Sequence, residues 1–240
     1  MKSINAEGLD HKTLNEEIRK AHGKCTVKGC RGQRFIAAGM TDLDLKIGGI
    51  PGNALGSYLN GGTIEVTSNA QDAVGDTMNE GRIVIRGNVG DAAGYAMRGG
   101  KIYVGGNAGY RAGIHMKAYK EKVPVMVIGG RAGSFLGEYQ AGGIIIVLNL
   151  KEPEKKIVGF FPCTGMHGGK MFLRSECKDV VFPEQVTARP AKKADLEELR
   201  GYLKEYCELY GLDPEGILSA PFTVITPDSK NPYRQMYTAN

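Results

Sequence analysis

The sequence has no tryptophan and only 8% aromatic residues. A core without large rings must be narrow and filled by aliphatic side chains. No window approaches eighteen consecutive apolar residues, so no membrane-spanning helix is expected. The N-terminus also has no apolar signal region. Together these absences predict a soluble, cytoplasmic protein without a membrane partner. The five cysteines, Cys25, Cys30, Cys163, Cys177 and Cys207, are odd in number and include no C-x-x-C pair. That speaks against a disulfide framework and against a self-contained zinc or iron–sulfur site. The net charge is +5, but the basic residues are scattered and locally balanced by acids, as in Glu152-Pro153-Glu154-Lys155-Lys156. No basic stripe marks a nucleic-acid partner.

Glycine is what the chain has in excess. It holds 35 glycines in 240 residues, about twice the number that an average usage of roughly 7% would give. They recur. Pro51–Asn69, Ala70–Asn88 and Val89–Asn107 align as units of nineteen residues. Gly56, Gly75, Gly94 and Gly113 share a column, and Leu59, Met78, Met97 and Met116 follow three residues later. Ile64/Val66, Ile83/Ile85 and Ile102/Val104 then alternate as short strands, and Asn69, Asn88 and Asn107 close the units. Downstream, Gly109–Gly113 opens a unit stretched through Lys117–Lys122, and Gly133–Gly137 opens another, followed by an insertion near Asn149–Val158.

A unit this small cannot bury its own apolar face, so neighbouring units must stack. The pattern predicts an all-β fold: a right-handed, single-stranded parallel β-helix of about seven rungs with short terminal helices. Glycine suits the sharp corners because it tolerates positive φ, and the asparagine column predicts a stacked amide ladder. Residues 1–30 are read as an N-terminal helix and lead-in, 31–182 as the β-helix, and 183–240 as a C-terminal helix with an extended tail. The first helix is expected near His11–His22, with Thr13 and Glu16 as its capping box. The second is expected near Leu196–Tyr210, between Asp195 as N-cap and Gly211, with its apolar stripe covering an open end of the rod.

Motifs that would carry chemistry are weak. Gly94–Lys101 and Gly165–Lys170 lack the spacing of a phosphate loop, and Ser57 and Ser134 lack the frame of a hydrolase nucleophile. Asp72 and Asp91 share a column with Asn53, Tyr110 and Ser134, so no calcium ladder is continuous. Acidic companions are sparse near Arg82, Arg86, Arg98, Lys101 and Arg111, which favours solvated or interface charge over a lyase groove. His11, His22, His115 and His167 are dispersed. The one candidate pair is Cys163 with His167, a nucleophile-like or metal-binding arrangement to weigh against a buried thiol beside a turn histidine. No catalytic, cofactor-binding or metal residue is assigned.

Three segments carry a family likeness: Asn69-Ala-Gln-Asp-Ala-Val-Gly75, Gly109-Tyr-Arg-Ala-Gly-Ile-His-Met-Lys117 and Phe135-Leu-Gly-Glu-Tyr139. With the repeats around them, from about residue 5 to 225, they resemble the glycine-rich (GXGXG) C-terminal β-helix domain of the glutamate synthase large subunit. The version most similar is the archaeal type encoded as a separate chain. The resemblance implies a non-catalytic scaffold between a glutamine amidotransferase subunit and a synthase subunit carrying FMN and an iron–sulfur cluster. The whole complex would move the amide nitrogen of glutamine to 2-oxoglutarate, giving glutamate. The repeats also resemble the glycine-rich β-helix subunit of formylmethanofuran dehydrogenase, and a free-standing enzyme with a groove site is the third reading. Self-association into a homo-oligomer is left open. The two insertions and the tail are the expected partner contacts.

Overall fold

The structure is a computed structural model that describes residues 2–228. In chain order its elements are β1 (Lys2–Asn5), α1 (His11–Lys20), β2 (Lys24–Arg31), β3 (Leu43–Ile50), β4 (Asn60–Val66), β5 (Glu80–Ile85) and β6 (Lys101–Val104). Then come β7 (Val125–Ile128), β8 (Ala141–Val147), β9 (Gly168–Leu173), β10 (Val186–Pro190), α2 (Lys193–Tyr210), α3 (Pro214–Leu218) and β11 (Thr223–Pro227). Strands β1 to β9 pair in parallel with their chain neighbours, so the nine strands make eight turns of a solenoid. The sheet starts earlier than residue 31, because β1 and β2 already belong to it. Their turn is replaced by α1 and lacks the repeat's glycines, which hid it from the sequence pattern.

Register explains the apolar columns. Leu45, Ile64, Ile83, Ile102, Met126, Ile145 and Met171 pair in sequence across β3 to β9, and Ile47, Val66, Ile85, Val104, Ile128, Val147 and Leu173 do the same two residues on. All are buried in one continuous core. Each buried aliphatic side chain contributes about 1.5–3 kcal/mol, so the rod's stability is distributed along its length.

The repeat glycines lie beneath that column. Gly56, Gly75, Gly94, Gly113 and Gly137 have φ of 65°, 69°, 70°, 70° and 65°. At Gly75 an added Cβ would come within 2.5 Å of the Ile102 side chain of the following rung. The glycine is therefore fixed both by its left-handed backbone and by the space that the next rung's aliphatic needs.

The asparagine ladder has a different chemistry from the amide-to-amide stack expected. The Asn69 side-chain oxygen accepts from the Asn88 backbone N–H, Asn88 from Asn107, and Asn107 from Arg131, each at 2.8 Å. A second ladder runs beside it. Asn53 accepts from the Asp72 N–H at 3.3 Å, Asp72 from Asp91 at 2.9 Å, and Asp91 from Tyr110 at 2.8 Å. The column that failed as a calcium pattern is thus a backbone-binding ladder, in which Asn and Asp are equivalent acceptors.

The helices also differ from expectation. Asp10, not Thr13, caps α1, accepting the Thr13 N–H at 2.7 Å. Leu14 and Ile18 of α1 are fully buried in the rod's core cluster, so α1 closes its N-terminal end. Asp195 is the third residue of α2 rather than its N-cap. It closes a capping box onto the Lys192 N–H and holds Arg189 through two bonds of 2.6 and 2.9 Å. Gly211 ends α2 in the left-handed conformation, as expected. The α2 stripe does not cover an end of the rod but lies along the flank of the sheet. Leu199, Leu203, Tyr206 and Cys207 bury against Val84, Tyr103, Val127, Ile146 and Phe172, which are the outward positions of β5 to β9. The other end is closed by β11, which pairs antiparallel with β9 and is flanked by β10. The tail read as extended contains α3, nucleated by Asp213 and Pro214, before β11. Residues 229–240 of that tail lie outside the described residues.

Candidate interaction surface

The side of each rung that bears the repeat glycine has an unusual backbone. Three alternating positions take positive φ: Ala92, Gly94 and Ala96, then Arg111, Gly113 and His115, then Phe135, Gly137 and Tyr139. Left-handed conformations cost side-chain-bearing residues roughly 1–2 kcal/mol each. Here the cost is offset by hydrogen bonds to both neighbouring rungs. The N–H groups of Arg111 and His115 donate to Ser134 and Glu138 on one side at 2.9 Å, while that of Gly113 donates to Ala93 on the other at 2.8 Å. The result is a flat wall on which side chains of successive rungs stack.

After Phe35 in the first rung, one column of that wall carries Ala54, Ala73 and Ala92. In the later ones it becomes aromatic. The His115 ring stacks on Tyr139 at 5.3 Å and 8°, with Tyr95 edge-on to His115 at 5.9 Å. Gly165 leaves the room that the Tyr139 ring occupies. Beside them, Tyr110, Phe135 and Phe161 follow one another at 5.3 and 5.2 Å. The Arg111 guanidinium lies 4.8 Å from the Tyr110 ring and 5.5 Å from Phe135, and is held by the buried Glu138 carboxylate at 2.7 Å. Phe160 and Phe161 are 70% and 63% exposed, and Val181 beside them 86%. A groove of 430 Å³ runs between these three side chains, rimmed by Arg131 and Lys156.

Clusters of exposed aromatics with arginine are the composition of protein interfaces, not of an ordinary monomer surface. Sequence reading passed over this one because its members belong to different rungs. A usable signal was present: in the first αL column, Ala54, Ala73 and Ala92 give way to Arg111, Phe135 and Phe161.

The insertion at Asn149–Val158 runs straight into this patch. Asn149 donates to the Lys155 carbonyl at 3.0 Å, and Arg131 donates to the Lys156 carbonyl at 2.6 Å, tying the loop down. The Lys117–Lys122 insertion is a tight turn closed by two 3.0 Å bonds between Tyr119 and Lys122, with Tyr119 exposed.

The remaining candidates resolve differently. Cys163 is fully buried with its sulfur 3.8 Å from that of Met171, and burial pushes its thiol up to about 12. It is an inert core thiol at neutral pH. The His167 ring nitrogen lies 3.0 Å from the Gly165 carbonyl, and no hydrogen bond joins it to Cys163. Among the described residues, no group of three or more His, Cys, Asp or Glu converges to hold a metal ion. Arg82 and Lys101 hold α2 rather than facing a groove. Both reach Glu205, at 2.5 Å each, and the Tyr103 hydroxyl donates to it at 2.8 Å. Burial would raise the Glu205 carboxyl, but these three donors hold it down at about 2. Arg86 grips Glu65 and the Leu209 carbonyl and lies over the Tyr210 ring. Arg98 is exposed. No helix among the described residues is long and apolar enough to cross a membrane.

The chain is similar to an uncharacterized protein of Methanocaldococcus jannaschii, MJ1350. The two are 46% identical over 250 residues, covering 98% of this chain and 95% of that one. The fold described above is shared by a chain of the formyltransferase/hydrolase complex FhcABCD from Methylorubrum extorquens, solved with methylofuran. That match has a TM-score of 0.60 and 17% identity, and covers 92% of this chain and 89% of the other. The glycine columns, the rung geometry and the GXGXG motif family's match to residues 13–223 lead to one conclusion: the chain belongs to the GXGXG motif family.

Proposed function

We propose that this chain is a non-catalytic scaffold subunit of a glutamate synthase-type complex. In that complex it would position a glutamine amidotransferase against a synthase carrying FMN and an iron–sulfur cluster. The observation that carries the reading is the exposed aromatic and arginine wall of the later rungs, set on a rod whose interior is packed solid. Family membership supplies the class of assembly. Nitrogen released from glutamine must reach 2-oxoglutarate without escaping to water, and two active sites held at fixed separation on a rigid support meet that need. The partner contacts are Phe160, Phe161 and Val181 with the adjoining insertion at Asn149–Val158, together with the Lys117–Lys122 turn.

The fold neighbour belongs to a formyltransferase/hydrolase complex, so a β-helix subunit of a formyl-transferring assembly is the second reading. The test is co-expression with candidate amidotransferase and flavoprotein subunits, followed by size-exclusion chromatography. A stoichiometric complex with flavin absorbance and glutamine-dependent glutamate formation is expected. It should be lost in Phe160→Ser/Phe161→Ser, which keeps the wild-type fold. Co-elution with formyl-transferring subunits instead would establish the second reading and overturn the first.

A further inference from the structure

At the opposite end of the rod from the aromatic wall, an open polar cleft of 480 Å³ is lined by Asp10, His11, Arg31, Arg34, Asn53 and Gln71 among its residues. We infer that this cleft binds a small phosphate monoester, with Arg31 and Arg34 as its anion clamp.

The lining is rich in donors. Neither guanidinium has a carboxylate within ion-pair distance among the described residues. The side-chain oxygen of Asn53 is engaged by the Asp72 N–H, which leaves its amide hydrogens for the cleft, beside those of Gln71. The single acid, Asp10, is spent as the α1 cap on the Thr13 N–H. With one acid against two arginines the cleft carries a net charge of +1 before His11 is counted. An anion with several oxygens is the ligand that such a set of donors satisfies, and arginine matches phosphate oxygens two at a time.

The loop bearing the arginines is held rigid. Gln33 donates to the carbonyls of Ala6 at 2.8 Å and Leu9 at 3.2 Å, and accepts the Arg31 N–H at 2.7 Å. The N–H groups of Gly32 and Phe35 bond the next rung at Ile50 and Asn53, both at 2.8 Å. Buried Asn15 fixes the Phe35 carbonyl at 3.0 Å and the Ala37 N–H at 2.8 Å. Half-buried Gln33 and buried Asn15 thus fix the backbone that carries Arg31 and Arg34, a preorganisation that lowers the entropic cost of binding. At the cleft's rim, the half-exposed Phe35 ring lies 6.1 Å from His11 and 5.9 Å from the Arg34 guanidinium. It offers a flat apolar face to whatever the phosphate is attached to, which favours an ester over the free ion.

The experiment is calorimetric titration of the full chain with phenyl phosphate, inorganic phosphate and phenol, with amide shifts of Gly32 and Phe35 followed by NMR. Phenyl phosphate should bind tighter than inorganic phosphate, and phenol should not bind. Arg31→Gln/Arg34→Gln should weaken phenyl phosphate roughly tenfold or more with an unchanged thermal midpoint. Gln71→Glu, which adds a carboxylate to the cleft, should weaken it by repulsion and serves if the double variant misfolds. Equal binding by wild type and variants, absence of any binding, or stronger binding of an octaglutamate peptide than of phenyl phosphate would overturn the assignment. The cleft is remote from Phe160 and Phe161 in the rung order, so the partner test and this one fail separately.

Discussion

Two flanks of the same rod present large side chains in columns, and only one of them is covered within the described residues. On the strand flank, the outward positions Val84, Tyr103, Val127, Ile146 and Phe172 are buried beneath α2. Glycines make the seats: an added Cβ at Gly105 would strike the Tyr210 ring at 2.6 Å, and one at Gly129 would strike the Tyr206 hydroxyl at 2.2 Å. On the turn flank, Tyr110, Phe160 and Phe161 stand bare around a half-buried Phe135. The covered flank shows what an apolar column on this rod needs: a helix with aromatic anchors, plus one carboxylate gathering the cations at the edge. By analogy, the bare flank calls for a partner element of the same kind, with an acid placed for Lys156.

The comparison breaks most visibly in the interior of the covered flank. Leu203→Ala should lower unfolding stability by about 2–5 kcal/mol in chemical denaturation, since Leu203 is fully buried between α2 and the sheet. The equivalent truncation on the bare flank, Phe161→Ser, should change stability by no more than about 0.5 kcal/mol while abolishing partner binding. A large stability loss there would mean that the patch is already covered.

Acid should loosen the edge of α2 next. The Glu205 carboxyl sits below its ordinary 4.5, at about 2. A depressed folded value means that its contribution is complete above pH 4.5 and fades as pH falls towards 2. Near-UV circular dichroism of Tyr103, Tyr206 and Tyr210 should follow that loss, and Glu205→Gln should flatten the response in the same window.

A smaller effect is expected for Asn88→Ala, at about 0.5–1.5 kcal/mol in thermal unfolding, the net value of one hydrogen bond. Asn88 is exposed, so the larger penalty of a buried orphan does not apply. Asn88→Asp should be nearly silent, because the neighbouring ladder already uses aspartate.

The rod itself was legible because stacking forces identical constraints at a fixed interval. Gly56 to Gly137 and the paired aliphatics of β3 to β9 repeat for that reason. What escaped was whatever happens once. The place of α2 depended on outward strand positions changing from Lys46 and Glu65 to Val84, Tyr103 and Val127, a signal weaker than the repeat that contains it. Both cap assignments slipped by three residues: Asp10 rather than Thr13 caps α1, and Asp195 sits three residues inside the cap of α2. The aromatic wall was scattered through the chain at intervals widened by the two insertions. Cys163 and His167 looked like a pair in sequence, yet one faces the core and the other a turn carbonyl.

The two ladders all point one way, each side-chain oxygen accepting from the rung that follows. Neither column runs the full length of the rod, since the first stops at Arg131 and the second at Tyr110. The length of this rod is set instead by its terminators. α1 plugs the first rung, and β11 lies against β9 in the opposite sense, offering the wrong hydrogen-bond pattern for a further parallel strand. As a ruler between two active sites, the molecule would have its graduations in the repeat and its measure in the stops.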